Sequence, residues 1–437
     1  MGISNIIFII VFSLAITFFV RNLNRIIANI QLGRDINRSD RPSERWRNMF
    51  RVAVGQSKMT RRPVAGILHI ILYLGFVIIN IEVVEIIVDG FFGSHRFLSS
   101  VLSVGLYNFL IGSFEILAFL VLVACVIFLV RRNVIRIKRF WSKEMTAWPR
   151  TDANLILVFE ILLMSAFLIM NATDGLLFAA GDSHYLTTFS NPVSQYFQFM
   201  FIDFDVKTLI YIERFAWWFH IIGILMFMNY VLISKHLHIF FAFPSTYFAN
   251  LNPLGQFSNL ESVTNEVKLM MDPNADPYAV PDSLSSAPDQ FGAKDANDLN
   301  WVQLLNAYSC TECGRCTDSC PANQTGKLLS PRKVLMDTRD RITEIAYNKR
   351  KGVEDTKSLL GDYITTEELW ACTSCNACTD ACPIELDPLS IIIDMRRYLV
   401  MEKSAAPTEL NMMFTNVENN GAPWQFPAAD RLNWKDE

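Results

Sequence analysis

Eight of the nine cysteines fall in two copies of one run, Cys310-x2-Cys313-x2-Cys316-x3-Cys320-Pro321 and Cys372-x2-Cys375-x2-Cys378-x3-Cys382-Pro383. This is the ligand spacing of a protein that holds two [4Fe–4S] clusters. A cubane cluster needs four thiolates converging on one small volume, and a tight C-x2-C-x2-C turn plus a fourth thiolate from elsewhere meets that need without strain. In paired runs the fourth cysteine of each serves the other run's cluster. The expected sets are therefore Cys310, Cys313 and Cys316 with Cys382, and Cys372, Cys375 and Cys378 with Cys320. Pro321 and Pro383 fix the backbone just past the fourth ligand. Zinc sites pair two C-x2-C units across a gap and lack the trailing Cys-Pro. Disulfides need an oxidising compartment and would not repeat one spacing twice. The ninth cysteine, Cys125, lies in an apolar run and reads as a small core residue.

Imidazoles are the second source of chemistry. Of six histidines, His69 and His220 fall on long apolar stretches, and His238 lies at the end of one with His236 beside it. A histidine in lipid needs a partner, and two on facing helices could hold haem b through its axial positions. The bland alternative for each is a hydrogen bond to a neighbouring side chain or carbonyl. His69 and His238 belong to the same half of the membrane and form the expected haem pair. His220 and His238 are eighteen residues apart, five helical turns, so they share one face of the fifth stretch about 27 Å apart along the axis, and one haem could not use both. His220 has Ile79 and Asn80 at its depth on the second stretch; it either binds a second haem with an unidentified partner or touches a quinone. Glu82, Glu85, Glu115 and Glu213 fall in or near the outer half, where carboxylates mark proton paths or simply bond neighbouring helices.

The elements that must position these residues follow from composition. With 437 residues, 51% hydrophobic, and a positive mean hydropathy, the chain is too apolar for an ordinary soluble enzyme and long enough for two domains. No nucleic-acid module is visible. Five stretches are long enough to span a bilayer: about 3–20, 63–88, 104–130, 153–179 and 208–234. The first has no basic start and no small-residue cleavage site after it, so it is expected to be a retained anchor. Eleven Lys and Arg separate the first two stretches and seven the third and fourth, while Gly181 to Val206 holds none. The positive-inside rule then puts the amino terminus outside and everything after Lys235 in the cytoplasm, where thiolates remain free for iron.

The expected division is a transmembrane haem b domain over 1–243, a linker over 244–300, a two-cluster cytoplasmic domain over 301–402 and a tail over 403–437. Ile26 to Gln56 mixes apolar residues with Arg, as an amphipathic helix on the inner surface would; a solvated basic loop is the alternative. The linker contains Asp272-Pro273-Asn274, Asp276-Pro277 and Pro281-Asp282, which oppose a packed core. In the cluster domain, Pro331 suits a first helical turn and Thr365 to Glu368 a capping box. With strand signals absent, the fold class is all-α: a five-helix membrane bundle followed by a mostly helical two-cluster ferredoxin domain.

On these residues the chain resembles known redox families. Ala65-Gly66-Ile67-Leu68-His69 and Arg214…His220…Ser234-Lys235-His236-Leu237-His238 resemble the haem b gamma subunit of respiratory nitrate reductase and the membrane subunit of methanogen-type heterodisulfide reductase. That family carries two ligands ten residues apart on its second span and two eighteen apart on its fifth. His69, His220 and His238 match three of them, and Ile79 stands near the fourth, which implies one inner haem. The cysteine half is similar to the helical two-cluster subunit of heterodisulfide reductases and to iron–sulfur subunits of glycolate and glycerol-3-phosphate oxidising systems. Asn419 to Trp424, with Arg431 and Trp434, resembles their closing segment. Similar fusions pass electrons from electron-transfer flavoprotein to menaquinone and carry a further domain with adjacent Cys-Cys pairs. No Cys-Cys occurs here, so the resemblance implies a separate cysteine-rich or flavoprotein partner, a quinone as diffusible substrate, and a place in the bacterial cytoplasmic membrane.

Overall fold

The computed structural model describes residues 2–182, 184–185, 191–273, 290–425 and 428–436. Most of the expected linker motifs, from Asn274 through residue 289, thus lie outside the described residues. Among those described no β-strand forms, and two isolated backbone bridges are the sole extended pairings. The fold is the helical one expected.

The first half contains α1 (Ile3–Ile30), α2 (Pro42–Met49), α3 (Pro63–Phe92), α4 (Phe97–Val101), α5 (Val104–Asn133), α6 (Ala147–Ala179) and α7 (Val206–Val231). Of these α1, α3, α5, α6 and α7 are long and apolar enough to cross a membrane. Lipid offers no partner to a bare N–H or C=O, so such segments close their hydrogen bonds internally as helices. Helix α6 is the centre of the bundle, flanked by α5 and α7, and Phe114, Phe167 and Ile221 form a core with no exposed surface. Cys125 is packed in the same core.

The chain continues with α8 (His238–Tyr247), α9 (Glu261–Met271), α10 (Trp301–Ser309), α11 (Arg315–Asp318), α12 (Pro321–Gln324), α13 (Pro331–Lys351), α14 (Thr366–Trp370), α15 (Ala377–Ala381), α16 (Pro388–Arg397) and α17 (Thr408–Asn420). Ser330 caps α13 by accepting from the Lys333 N–H, and Pro331 takes the first turn. Thr365 and Glu368 form the capping box of α14, each accepting from the other's backbone N–H.

Two expectations give way here. Residues 26–56 do not form one helix on the inner surface. Helix α1 ends at Ile30, and Gly33 and Arg34 then run beside Leu299–Trp301, with Arg34 N–H donating to Leu299 O at 2.8 Å and Trp301 N–H to Arg34 O at 3.1 Å. A Cβ on Gly33 would stand 2.8 Å from the Trp301 nitrogen, so only glycine permits this approach. Arg45 in α2 is wholly buried and donates to the carbonyls of Tyr247 and Ala249 at 3.1 Å; protein, not lipid headgroup, satisfies it.

The second difference concerns the fifth span. Helix α7 stops at Val231, and a 3-10 turn, Lys235–Leu237, leads into α8. Asp152 on α6 holds this break by accepting from the Tyr230 hydroxyl (2.5 Å) and the Lys235 N–H (3.0 Å). His220 and His238 therefore do not share one continuous helix.

Candidate functional site

The two cysteine runs fold alike. In each, the residue before the second cysteine adopts positive φ, Glu312 at 54° and Ser374 at 55°, and so does the residue after it, Gly314 at 72° and Asn376 at 59°. The Glu312 and Ser374 N–H groups each lie 3.4 Å from the first thiol of their run, Cys310 and Cys372. These turns wrap the backbone so that three thiols face one side, and a short helix, α11 or α15, follows.

Cys310, Cys313, Cys316 and Cys382 line one cavity together with Leu335 and Ile384. Cys320 is absent from that lining; it lies within electrostatic reach of Cys372, which also senses Cys375. Cys378 in turn senses Cys372. The fourth cysteine of each run thus sits with the other run's triplet. Burial pushes the Cys310, Cys378 and Cys382 thiols up to about 12. They hold their protons at neutral pH unless a metal displaces them. Among the described residues no three Cys, His, Asp or Glu side chains are grouped tightly enough for one metal ion.

His69 on α3 and His238 at the start of α8 face each other with ring centroids 6.4 Å apart and planes tilted by 39°. A metal between two opposed imidazoles, with bonds of about 2 Å on each side, sets centroids about 6 Å apart. His238 Nδ1 lies 3.1 Å from the Lys235 carbonyl, leaving Nε2 for another partner. His69 Nδ1 is buried with no hydrogen-bond partner among the described residues. These residues fit an axial pair for haem b. The break after Val231 is what brings His238 to the depth of His69. His236 is a third imidazole, 5.3 Å from the His238 ring.

His220 is placed elsewhere. It is buried on α7, its Nδ1 lies 2.9 Å from the Leu163 carbonyl, and its ring neighbour is Phe167 at 6.0 Å. Ile79 packs in the same apolar core. The outer carboxylates are engaged by protein. Glu115 accepts from Asn171 (2.9 Å), the Val193 and Ser194 N–H groups and the Ser194 hydroxyl. Glu82 and Asp174 pair with the buried Arg96. Glu85 accepts from the Leu98 N–H at 2.8 Å, and Glu213 from the Tyr185 hydroxyl at 3.2 Å and from Arg214.

Sequence reasoning missed the residues that join the two halves. Arg332, wholly buried, donates to Arg139 O (2.7 Å), Ser142 Oγ (2.8 Å) and Glu144 Oε1 (2.6 Å) in the loop between α5 and α6. Glu312 pairs with both Lys235 (2.5 Å) and Arg339 (2.9 Å). Arg61 and Arg62 reach Asp380 and Asp318. The basic loops expected to face the inside also clamp the cysteine domain. No local pattern signals a pairing across the halves, between residues 77 to 319 positions apart.

Residues 309–386 match the 4Fe-4S dicluster domain. The chain is 29% identical to the probable iron-sulfur-binding oxidoreductase FadF of Bacillus subtilis over 99% of this chain and 61% of that protein. It is 28% identical to the EtfAB:quinone oxidoreductase of Syntrophomonas wolfei over 92% of this chain and 55% of the relative. A probable membrane-anchored ferredoxin of Chromohalobacter salexigens is 29% identical over 35% of this chain and 25% of its own length. The chain thus spans between half and two thirds of the first two relatives. No solved structure matches it. These relatives are described as an iron-sulfur-binding oxidoreductase, a quinone oxidoreductase and a membrane-anchored ferredoxin.

Proposed function

We propose that this chain is the membrane-bound electron-transfer subunit of a quinone-linked respiratory oxidoreductase. It works between a cytoplasmic redox partner, a flavoprotein or a cysteine-rich subunit, and the quinone pool, menaquinone in the first place. Cys310, Cys313, Cys316 and Cys382 hold one [4Fe–4S] cluster, Cys372, Cys375, Cys378 and Cys320 the other, and His69 with His238 one haem b. When bound, these groups supply one-electron oxidation and reduction. The chain's own residues position and insulate them: apolar walls exclude water, backbone N–H groups approach the sulfurs, and the Lys235 carbonyl orients His238. The observation that carries this reading is the His69–His238 pair, 6.4 Å between rings, beneath a docked four-thiol cavity. The amino terminus lies outside the bacterial cytoplasmic membrane and the cluster domain inside, in keeping with the basic loops. His220 is left for a second haem or for quinone contact.

Similarity to a protein described as a membrane-anchored ferredoxin favours a second reading, an iron–sulfur anchor without haem that docks a soluble dehydrogenase. A visible spectrum of the reduced, purified protein separates the two. Haem b gives sharp α and Soret bands that clusters lack, and His69→Ala should abolish them while iron and sulfide remain at the cysteines. An unmodified protein with iron and sulfide but no α band leaves only the anchor.

A further inference from the structure

We infer that the cluster on Cys310, Cys313, Cys316 and Cys382 is the one coupled to the membrane histidines, and that Arg315 is the positioning residue of that coupling. Arg315 seats this cluster's loop on the cytoplasmic end of α3 and holds a positive charge between the thiolates and His69. The inference rests on the reading that His69 and His238 bind haem b.

Both flanks of the four-thiol cavity are fastened to the membrane half. On one flank Arg315 Nη1 donates to the Lys58 carbonyl at 3.2 Å, and Nη2 lies 3.4 Å from the Met59 carbonyl and 3.0 Å from its sulfur. The Met59–Thr60 turn rests on Gly66, where a Cβ would stand 2.9 Å from the Met59 oxygen and 3.0 Å from the Thr60 Cα. Gly66 precedes His69 by about one helical turn, roughly 4.5 Å of rise. A contiguous chain of contacts therefore runs from the cavity through Arg315 and Met59 to the foot of the haem ligand. On the other flank Glu385, just beyond Cys382, accepts from Asn48 Nδ2 at 2.7 Å and pairs with Lys58 at 3.2 Å. The second cysteine set is the more accessible one: Cys375 is exposed and Cys372 partly so, while Cys320 and Cys378 are buried. The Cys372 carbonyl and Ser374 hydroxyl accept from Arg396 of the same domain, and Arg61 ties this run to the membrane half through Asp380.

Charge gives Arg315 its second role. Its guanidinium lies within electrostatic reach of Cys313, Cys382 and His69. Reduction adds one negative charge to a cluster with no bond made or broken, and a fixed cation nearby stabilises that state. Of the neighbouring cations, Arg332 and Arg62 are paired with Glu144 and Asp318, while Arg139 also faces Cys313.

The test is a redox titration of the full chain followed by electron paramagnetic resonance, with the inner cluster's signal identified as the one that Cys313→Ser alters. Arg315→Gln should lower that cluster's reduction equilibrium constant about tenfold, about 59 mV for one electron, and leave the other cluster unmoved. Arg315→Lys, which keeps the charge but not the forked donor, should return the inner cluster to within about twofold of the unmodified protein. Equal shifts at both clusters, no shift at either, or a lysine variant as low as the glutamine variant would overturn the inference. If the glutamine variant does not assemble, the lysine variant decides on the same criterion. A missing α band in the unmodified chain defeats the haem reading instead, and the difference between the two clusters' potentials is read independently of that band.

Discussion

Arg332 presents the sharpest electrostatic demand at the scale of a single residue. Its side chain is wholly buried, and an uncompensated buried charge costs several kcal/mol. Glu144 answers it at 2.6 Å, and the Ser330 hydroxyl also donates to Glu144 at 2.7 Å. Burial alone would raise the Glu144 carboxyl, but Arg332 and these hydrogen bonds outweigh it and hold the group below its ordinary value of 4.5. A carboxyl lowered on folding contributes stability that is fully present above its unfolded value and is lost as pH falls through the folded one. Glu144→Gln should therefore destabilise the protein by about 3 kcal/mol at neutral pH, read as earlier thermal bleaching of the cluster absorbance. The gap to the unmodified protein should narrow below about pH 4.5, as the native carboxyl takes up its proton. A gap that stays constant across that range would mean that the ion pair contributes nothing to docking.

Among the elements, the short break between α7 and α8 decides whether His69 and His238 meet as the proposed haem pair. A helix that continued past Val231 would carry His238 further along its axis; the turn at 232–237 instead swings it to within 6.4 Å of His69 between ring centres. Asp152 anchors this turn through Tyr230 and the Lys235 backbone. Hydrogen bonds to a carboxylate contribute about 1.5–3 kcal/mol each, so Asp152→Ala should release the turn at a cost of about 3 kcal/mol. The expected readout is a broadened or weakened α band with cluster iron retained; an unaltered band would show that the break forms without Asp152. At this element sequence and structure part. The cysteine turns, the caps of α13 and α14 and the five long apolar helices were legible because each is fixed by residues within a few positions of one another. The break was not legible, because the residue that sets it lies about 80 positions away on another helix. The same holds for Arg315, whose partners Lys58 and Met59 are more than 250 positions upstream. Basic loops read from composition as orientation signals prove also to be the seat of the cluster domain.

Over the whole molecule, polar clamps sit around a seam that is itself apolar. Ile26 and Ile30 from α1 and Leu237, Phe241 and Ala242 around α8 belong to the same buried cluster as Leu304, Leu305 and Tyr308 of α10 and the ligand cysteines. A continuous core makes the membrane half and the cluster half one packing unit, so the cavity and the histidine pair keep a fixed separation. Electron transfer depends steeply on such a separation, whereas a tethered domain would have to find its position on every cycle. Phe241 is the largest of these seam residues from the membrane half and is 8% exposed. Truncating a buried Phe to Ala costs about 3–5 kcal/mol. Phe241→Ala should therefore loosen the seam, seen as faster amide hydrogen exchange along α10, with exchange around Phe114 and Phe167 in the bundle core unchanged. Local opening confined to one seam is the behaviour expected of a cooperative unit bounded by it. If exchange rises equally in the bundle core, the two halves unfold together and the seam is not a boundary; if it rises nowhere, the clamps at Arg332, Glu312 and Arg315 hold the halves without help from the apolar contact.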